Sequence, residues 1–120
     1  MSARLGARIL EWTIKTFGAA GPITAKERAL RLLEEAVELA QSEGVSRDVV
    51  SRIADRAFGR PPGMPLGEAA QVALTLWGYC EHHGWKPADL AQLELRRVET
   101  ISAEDWTARN NSKKIAGICD

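Results

Sequence analysis

Residues 24–42 read Thr-Ala-Lys-Glu-Arg-Ala-Leu-Arg-Leu-Leu-Glu-Glu-Ala-Val-Glu-Leu-Ala-Gln-Ser and have the pattern of one amphipathic α-helix. Thr24, with Glu27 three residues later, forms a capping-box signature, and Gly44 is a typical C-terminal stop. At about 100° per residue the apolar side chains fill roughly half of the helix surface, so we expect this face to be core. The face consists of Leu30, Leu32, Leu33, Ala36, Val37, Leu39 and Ala40.

Glutamates form a stripe on the opposite side of the same helix. Glu27, Glu34 and Glu38 share the stripe, and Glu35 lies one step around from Glu38. Charged stripes are common on amphipathic helices, where they form ion pairs within the helix. On this helix alone, a solvated face is the favoured interpretation over a binding site.

The rest of the chain predicts further helices and contains no strand pattern. We expect helices near residues 3–17, 46–58, 66–83 and 87–101, and a short helix or turn from Ser102 to about Lys114. Residues 1–120 then form a single all-α domain, a bundle of four to six helices. Within it, residues 1–22 are the N-terminal helix and linker, and residues 103–120 are the C-terminal tail. At this size the surface-to-volume ratio favours assembly into an oligomer.

The bulk composition excludes several classes of protein. Lys+Arg and Asp+Glu both number 16, so the net charge is zero and no nucleic-acid polymer or anionic membrane is an expected partner. No stretch approaches the roughly 20 apolar residues of a membrane span, and the N-terminus lacks the apolar core of a secretory signal. Cys80 and Cys119 lack metal-ligand spacing and indicate free thiols in a cytoplasmic protein.

Residues 66–83 predict a helix that is apolar nearly all round, which indicates a central helix or one buried in an oligomer. Its exceptions form one narrow polar stripe: Glu68, Gln71, Thr75, Gly78 and His82. A buried Glu68 would need a partner or a cation, whereas an exposed Glu68 at the helix start would favour the helix dipole. Both interpretations stay open. Gly78 costs up to about 1 kcal/mol against alanine and indicates a close approach by another group.

An antiparallel pairing of these two helices would bring Glu35 and Glu38 to face Glu68. Three carboxylates in one place repel each other unless a divalent cation lies between them. Hard oxygen ligands of this kind suit Mg²⁺, with Mn²⁺ as the alternative, and substrate phosphates complete the coordination shell.

The segment Glu34-Glu35-Ala-Val-Glu38 resembles the EExxE motif of the all-α, MazG-like nucleoside triphosphate pyrophosphohydrolases. Residues 27–41, Phe58-Gly-Arg-Pro61 and residues 68–76 are similar to a phage and bacterial branch of that family. The resemblance extends over about residues 27–98. It implies a helical bundle that forms a homodimer or tetramer. It also implies Mg²⁺-dependent cleavage of a (deoxy)nucleoside triphosphate between the α and β phosphates, giving the monophosphate and pyrophosphate.

Carried over by position, the resemblance implies a set of site residues. The metal ligands are Glu35, Glu38, Glu68 and Gln71, and Glu34 positions or deprotonates the attacking water. The family pattern has aspartate in place of Gln71, and a neutral ligand there weakens binding of a second or third metal. The resemblance also places phosphate-binding groups near the C-terminus, here Arg109, Asn110, Lys113 and Lys114, with Arg96 and Arg97 as weaker candidates. For the terminal lysines the alternative is a solvated chain end.

Three functions follow as hypotheses. The first is the Mg²⁺-dependent pyrophosphohydrolase. The second is a non-catalytic relative that binds nucleotides or dimerises with an incomplete metal site, which Gln71 favours. The third is the same fold acting on another substrate such as phosphoribosyl-ATP. Trp12, Trp77, Trp85 and Trp106 are candidates for stacking on a base, although most tryptophans simply pack.

Overall fold

A computed structural model describes residues 2–102, 104–106, 108–109 and 111. Within these ranges the chain is all-helical and contains no strand, which confirms the predicted fold class. The helices are α1 (Ser2–Phe17), a short 3₁₀ turn (Gly18–Ala20), α2 (Ala25–Ser42), α3 (Arg47–Phe58), α4 (Pro65–His83) and α5 (Pro87–Val98). The described residues from 104 to 111 are also helical. No described helix is both long and apolar enough to cross a membrane.

Local signals set the helix ends. The Thr24 hydroxyl accepts a hydrogen bond from the Glu27 amide, and the Ser46 hydroxyl accepts one from the Val49 amide. Only half of the predicted capping box forms, because the Glu27 carboxylate instead pairs with Arg28 and Arg31. Gly44 and Gly84 have φ angles of 86° and 75°, which glycine adopts without steric cost at a helix end.

The buried residues lie where α5 packs against α1 and α4. Among the residues whose burial the structure describes they are Thr13, Cys80, Leu95 and Val98, and the Thr13 hydroxyl donates a hydrogen bond to the Ile9 carbonyl. The predicted core face of α2 is wrong for a single chain, because Leu32 and Leu33 are 51% and 60% exposed. Of the residues of α4, only Cys80 is buried. That helix is therefore not central in the single chain, and the oligomer interpretation stays open.

A polar contact joins the C-terminal ends of α2 and α4. The Tyr79 hydroxyl donates to Glu43 Oε2 at 2.8 Å, and His83 Nε2 lies 3.2 Å from the same oxygen. His83 also stacks on Trp85, with ring centroids 4.2 Å apart. The pKa of Glu43 lies below its ordinary value, first because of the Tyr79 hydrogen bond and then because of His83.

This contact predicts a specific acid sensitivity. A carboxyl whose folded pKa is lowered stabilises the fold above its unfolded pKa, and that contribution is lost as the pH falls through the folded pKa. We expect Glu43→Gln to flatten the decline of melting temperature on acidification below about pH 4.5, measured by circular dichroism at a series of pH values. Glu81→Gln, an exposed glutamate of α4, is the control and should keep the wild-type decline. An acid decline in Glu43→Gln identical to that of the wild type would contradict the assignment.

Candidate functional site

A cleft of about 810 Å³ lies between α1, α2, α5 and the segment that follows α5. Its volume falls within the roughly 300–1,000 Å³ typical of small-molecule sites. Carboxylates, guanidinium groups and aromatic rings share its wall. The main polar and aromatic lining residues are Trp12, Phe17, Arg28, Arg31, Glu34, Glu35, Glu38, Glu94, Arg97, Trp106 and Arg109.

The three glutamates of the EExxE segment all line this cleft. They lie on consecutive turns of α2, so the helix fixes their spacing, and Glu35 and Glu38 are three residues apart on one face. Glu34 and Glu35 both have interaction partners in the structure. Glu34 is half-buried, whereas Glu35 and Glu38 are exposed, so the three carboxylates line the cleft and remain accessible to solvent.

Helix α5 contributes charges of both signs to the opposite wall. Arg97 donates to both carboxylate oxygens of Glu94 at 2.7 Å, a bidentate pair within one turn of α5. The pKa of Arg97 is raised first by this hydrogen bond and, to a smaller degree, by the charge of Glu35. Glu35 of α2 and Arg97 of α5 line the same cleft. Glu94 was not predicted from the sequence, because its proximity to α2 depends on tertiary packing.

Two more arginines lie at the N-terminal end of α2. Arg28 and Arg31 both pair with Glu27, whose pKa is lowered first by the hydrogen bond from Arg28. Their guanidinium carbons also lie 5.8 Å and 5.5 Å from the centroid of the Phe17 ring, within cation–π range. Phe17 belongs to α1, so the pattern of α2 alone did not predict this contact.

Arg109 lines the cleft, as does Arg97, one of the two weaker candidates for phosphate binding; Arg96 is not among the lining residues. The guanidinium carbon of Arg109 lies 5.0 Å from the centroid of the Trp106 ring. No ion pair of Arg109 is found among the described residues. The other three predicted phosphate-binding residues, Asn110, Lys113 and Lys114, lie outside the described residues.

Glu68 and Gln71 are not among the cleft residues. Glu68 lies in the first turn of α4 and bends back toward the preceding loop, since a Cβ built on Gly63 would lie 2.7 Å from its Oε1. The main-chain carbonyl of Gln71 accepts a hydrogen bond from the Thr75 hydroxyl. In the described part of one chain, no group of three or more acidic, histidine or cysteine side chains is placed to hold a metal ion.

The fold and the cleft together define an all-helical protein with a mixed acidic, basic and aromatic site. Neither a protein-family model, nor a curated protein, nor a solved structure matches the chain.

Proposed function

We propose that the protein is a Mg²⁺-dependent pyrophosphohydrolase that converts a (deoxy)nucleoside triphosphate into the monophosphate and pyrophosphate. One observation carries the proposal: Glu34, Glu35 and Glu38 line the same cleft as Arg97, Arg109 and the aromatic rings. Phosphate chemistry needs positioned negative ligands for a cation, positive groups for the phosphate oxygens and, for a nucleotide, a surface for the base. The resemblance of the EExxE segment to MazG-like enzymes agrees with the assignment of the glutamates as cation ligands.

The donor set fits a hard divalent cation. Mg²⁺ is usually held by one or two carboxylates together with substrate phosphates and water, so Glu35 and Glu38 of one chain meet the minimum. When bound, the ion would neutralise phosphate charge and lower the pKa of a ligated water. Glu68 and Gln71 do not line the cleft of their own chain, so as further ligands they would come from a second copy.

The side chains of the cleft have separate roles in this proposal. Glu34 accepts the proton of the water that attacks the α-phosphorus, and the bond from that phosphorus to the bridging oxygen breaks as pyrophosphate leaves. Arg97 and Arg109 bind non-bridging phosphate oxygens, because guanidinium groups match phosphate geometry with paired donors. The two cysteine thiols and the nucleotide substrate agree with a cytoplasmic location.

A second candidate is a non-catalytic nucleotide-binding protein. The observation that favours it is the absence of Glu68 and Gln71 from the cleft, together with the neutral side chain of Gln71. The two candidates differ in one measurement. Purified protein is incubated with all eight common NTPs and dNTPs, with Mg²⁺ or Mn²⁺, and pyrophosphate release is followed. Release from at least one nucleotide supports the enzyme, whereas no release from any of them at high Mn²⁺ overturns it.

Arg109 gives a direct test of phosphate binding. We expect Arg109→Ala to raise KM for the nucleoside triphosphate by about 10- to 100-fold, the effect of losing a charge-assisted hydrogen bond. Arg60→Ala removes an exposed arginine that does not line the cleft and should leave KM unchanged. Steady-state kinetics on the best substrate of the panel measures both. Equal KM values for wild type and Arg109→Ala would show that Arg109 does not bind the substrate.

We also propose that the functional unit contains at least two copies of the chain. The chain exposes 9772 Å², whereas a compact monomer of 13.1 kDa exposes about 6,400 Å². Its radius of gyration is 15.7 Å, against about 13.6 Å for a compact domain of this length. The excess, about 3,400 Å² per chain, is larger than the roughly 1,000–2,500 Å² that each partner of an obligate dimer usually buries. The uncovered apolar side chains of α2, α3 and α4 supply the contact: Leu32, Leu33, Ile53, Leu66, Leu74 and Trp77.

A further inference from the structure

Trp12, Phe17 and Trp106 form an aromatic cluster at one end of the cleft, although they come from the two ends of the chain. Each ring meets the other two edge to face, with centroids 5.6–5.7 Å apart. This T-shaped arrangement still leaves ring faces available to other groups. Guanidinium groups occupy two of these faces, Arg28 and Arg31 over Phe17 and Arg109 over Trp106.

The position of Arg109 shows that a flat group fits over Trp106. Guanidinium groups and nucleobases are both planar and both stack on aromatic rings, so the ring face that Arg109 covers is one on which a base can stack. Arg109 has no ion-pair partner among the described residues to hold it at the ring. A triphosphate would offer that side chain a stronger, charge-assisted contact than the ring does.

Trp106 also carries an unsatisfied donor. Its indole Nε1 is buried and has no hydrogen-bond partner among the described residues. Buried tryptophan N–H groups usually find an acceptor, because a buried donor without one loses its hydration and gains nothing. Because this nitrogen lies in the plane of the indole and has no accessible surface, a base stacked on the ring does not reach it, and the ring face alone supplies the contact.

We propose that the aromatic cluster binds the base of the nucleotide, with Trp106 as its principal contact. The base stacks on Trp106 in place of Arg109, and Arg109 turns to the phosphates. This inference rests on the proposed function and adds the orientation of the substrate. From Arg31 to Glu38 is seven residues of helix, about 10 Å, so one nucleotide can extend from the cluster to the glutamates.

The test separates the base from the phosphates. Binding of the α,β-imido analogues of the common dNTPs and of inorganic tripolyphosphate is measured by calorimetry with Mg²⁺ present. Trp106→Ala should lower the affinity for the tightest-binding analogue by about 5- to 100-fold, the usual effect of losing one aromatic stacking partner. The affinity for tripolyphosphate should not change. Trp106→Phe keeps an aromatic face of smaller area and should give a smaller loss. Trp85→Phe, an exposed tryptophan outside the cleft, is the control.

Every result of this experiment decides the proposal. Selective weakening of the analogue supports it. Equal weakening of the analogue and tripolyphosphate, no change in either, or no binding of any analogue overturns it. Pyrophosphate release is scored separately. If nucleotides bind through Trp106 but are not hydrolysed, the base site is supported and the enzymatic function is refuted. If hydrolysis occurs and Trp106→Ala does not affect it, the enzymatic function is supported and the base site is refuted.

Discussion

Glu38→Gln is expected to reduce pyrophosphate release by at least about 100-fold, because even the outer-shell partners of metal ligands cost 10- to 100-fold when removed. The substitution keeps the size of the side chain but removes the negative charge that would hold the cation. Glu38 is exposed at the cleft, so the fold should not depend on that charge. The wild type should also gain thermal stability with Mg²⁺ or Mn²⁺, since a ligand that binds only the folded state stabilises it. The variant should lose that gain.

Two measurements make this result specific. Circular dichroism and the melting temperature without metal should be the same for Glu38→Gln and the wild type. Glu11→Gln replaces an exposed glutamate of α1 that does not line the cleft and should retain both activity and the metal-dependent shift. Unchanged Mg²⁺ stabilisation in Glu38→Gln would show that this glutamate is not a ligand, whatever the activity of the variant.

Helix positions were predictable from the sequence because their signals are local. A cap such as Thr24 or Ser46 and a glycine such as Gly84 act within one turn of the chain, and the structure has each at a helix end. The glutamates of α2 were also predictable as a group, because helical spacing alone brings them to one side. These predictions did not require any knowledge of how the helices pack.

The cleft was not predictable in the same way. Its aromatic end joins Phe17 to Trp106, residues that are distant in sequence, and no local pattern marks that contact. Likewise, Glu94 faces α2 only because α5 packs against α1 and α4. The predicted approach of Glu68 to Glu35 and Glu38 assumed antiparallel packing of α2 and α4 within one chain, and the cleft does not include Glu68.

A pattern of apolar residues predicts that one face of a helix is buried. It does not show whether the same chain or a second copy buries that face. Leu33 and Leu74 both follow the pattern of a buried face, yet they are 60% and 76% exposed in the single chain. Gly78, which predicted a close approach, has nothing within 4 Å of a Cβ built on it. An exposed apolar surface of this extent is rare on monomers and marks interaction sites. The same sequence signals therefore agree with a core completed by a second copy.

Leu74→Glu is expected to convert the assembly into single chains. Burying an unpaired carboxylate in an apolar interface costs several kcal/mol, and a symmetric interface contains the substitution twice. Light scattering after size exclusion should give the wild type a mass of at least twice 13.1 kDa and the variant the single-chain mass. Because the single chain buries so few side chains, the variant should also melt at a lower temperature and with less cooperativity.

Two further variants distinguish loss of the interface from simple unfolding. Gly78 is exposed, and a Cβ built on it has no neighbour within 4 Å. Gly78→Leu would block a helix from approaching α4, so it should also lower the mass while the helical content persists. Ala7→Glu places the same charge on an exposed position of α1, outside the apolar surface, and should leave the mass unchanged. The wild-type melting temperature should rise with protein concentration, as mass action requires for an assembly that folds together. If the wild type has the single-chain mass at every concentration, the proposed interface is refuted, because the apolar surface of α4 then stays exposed to solvent.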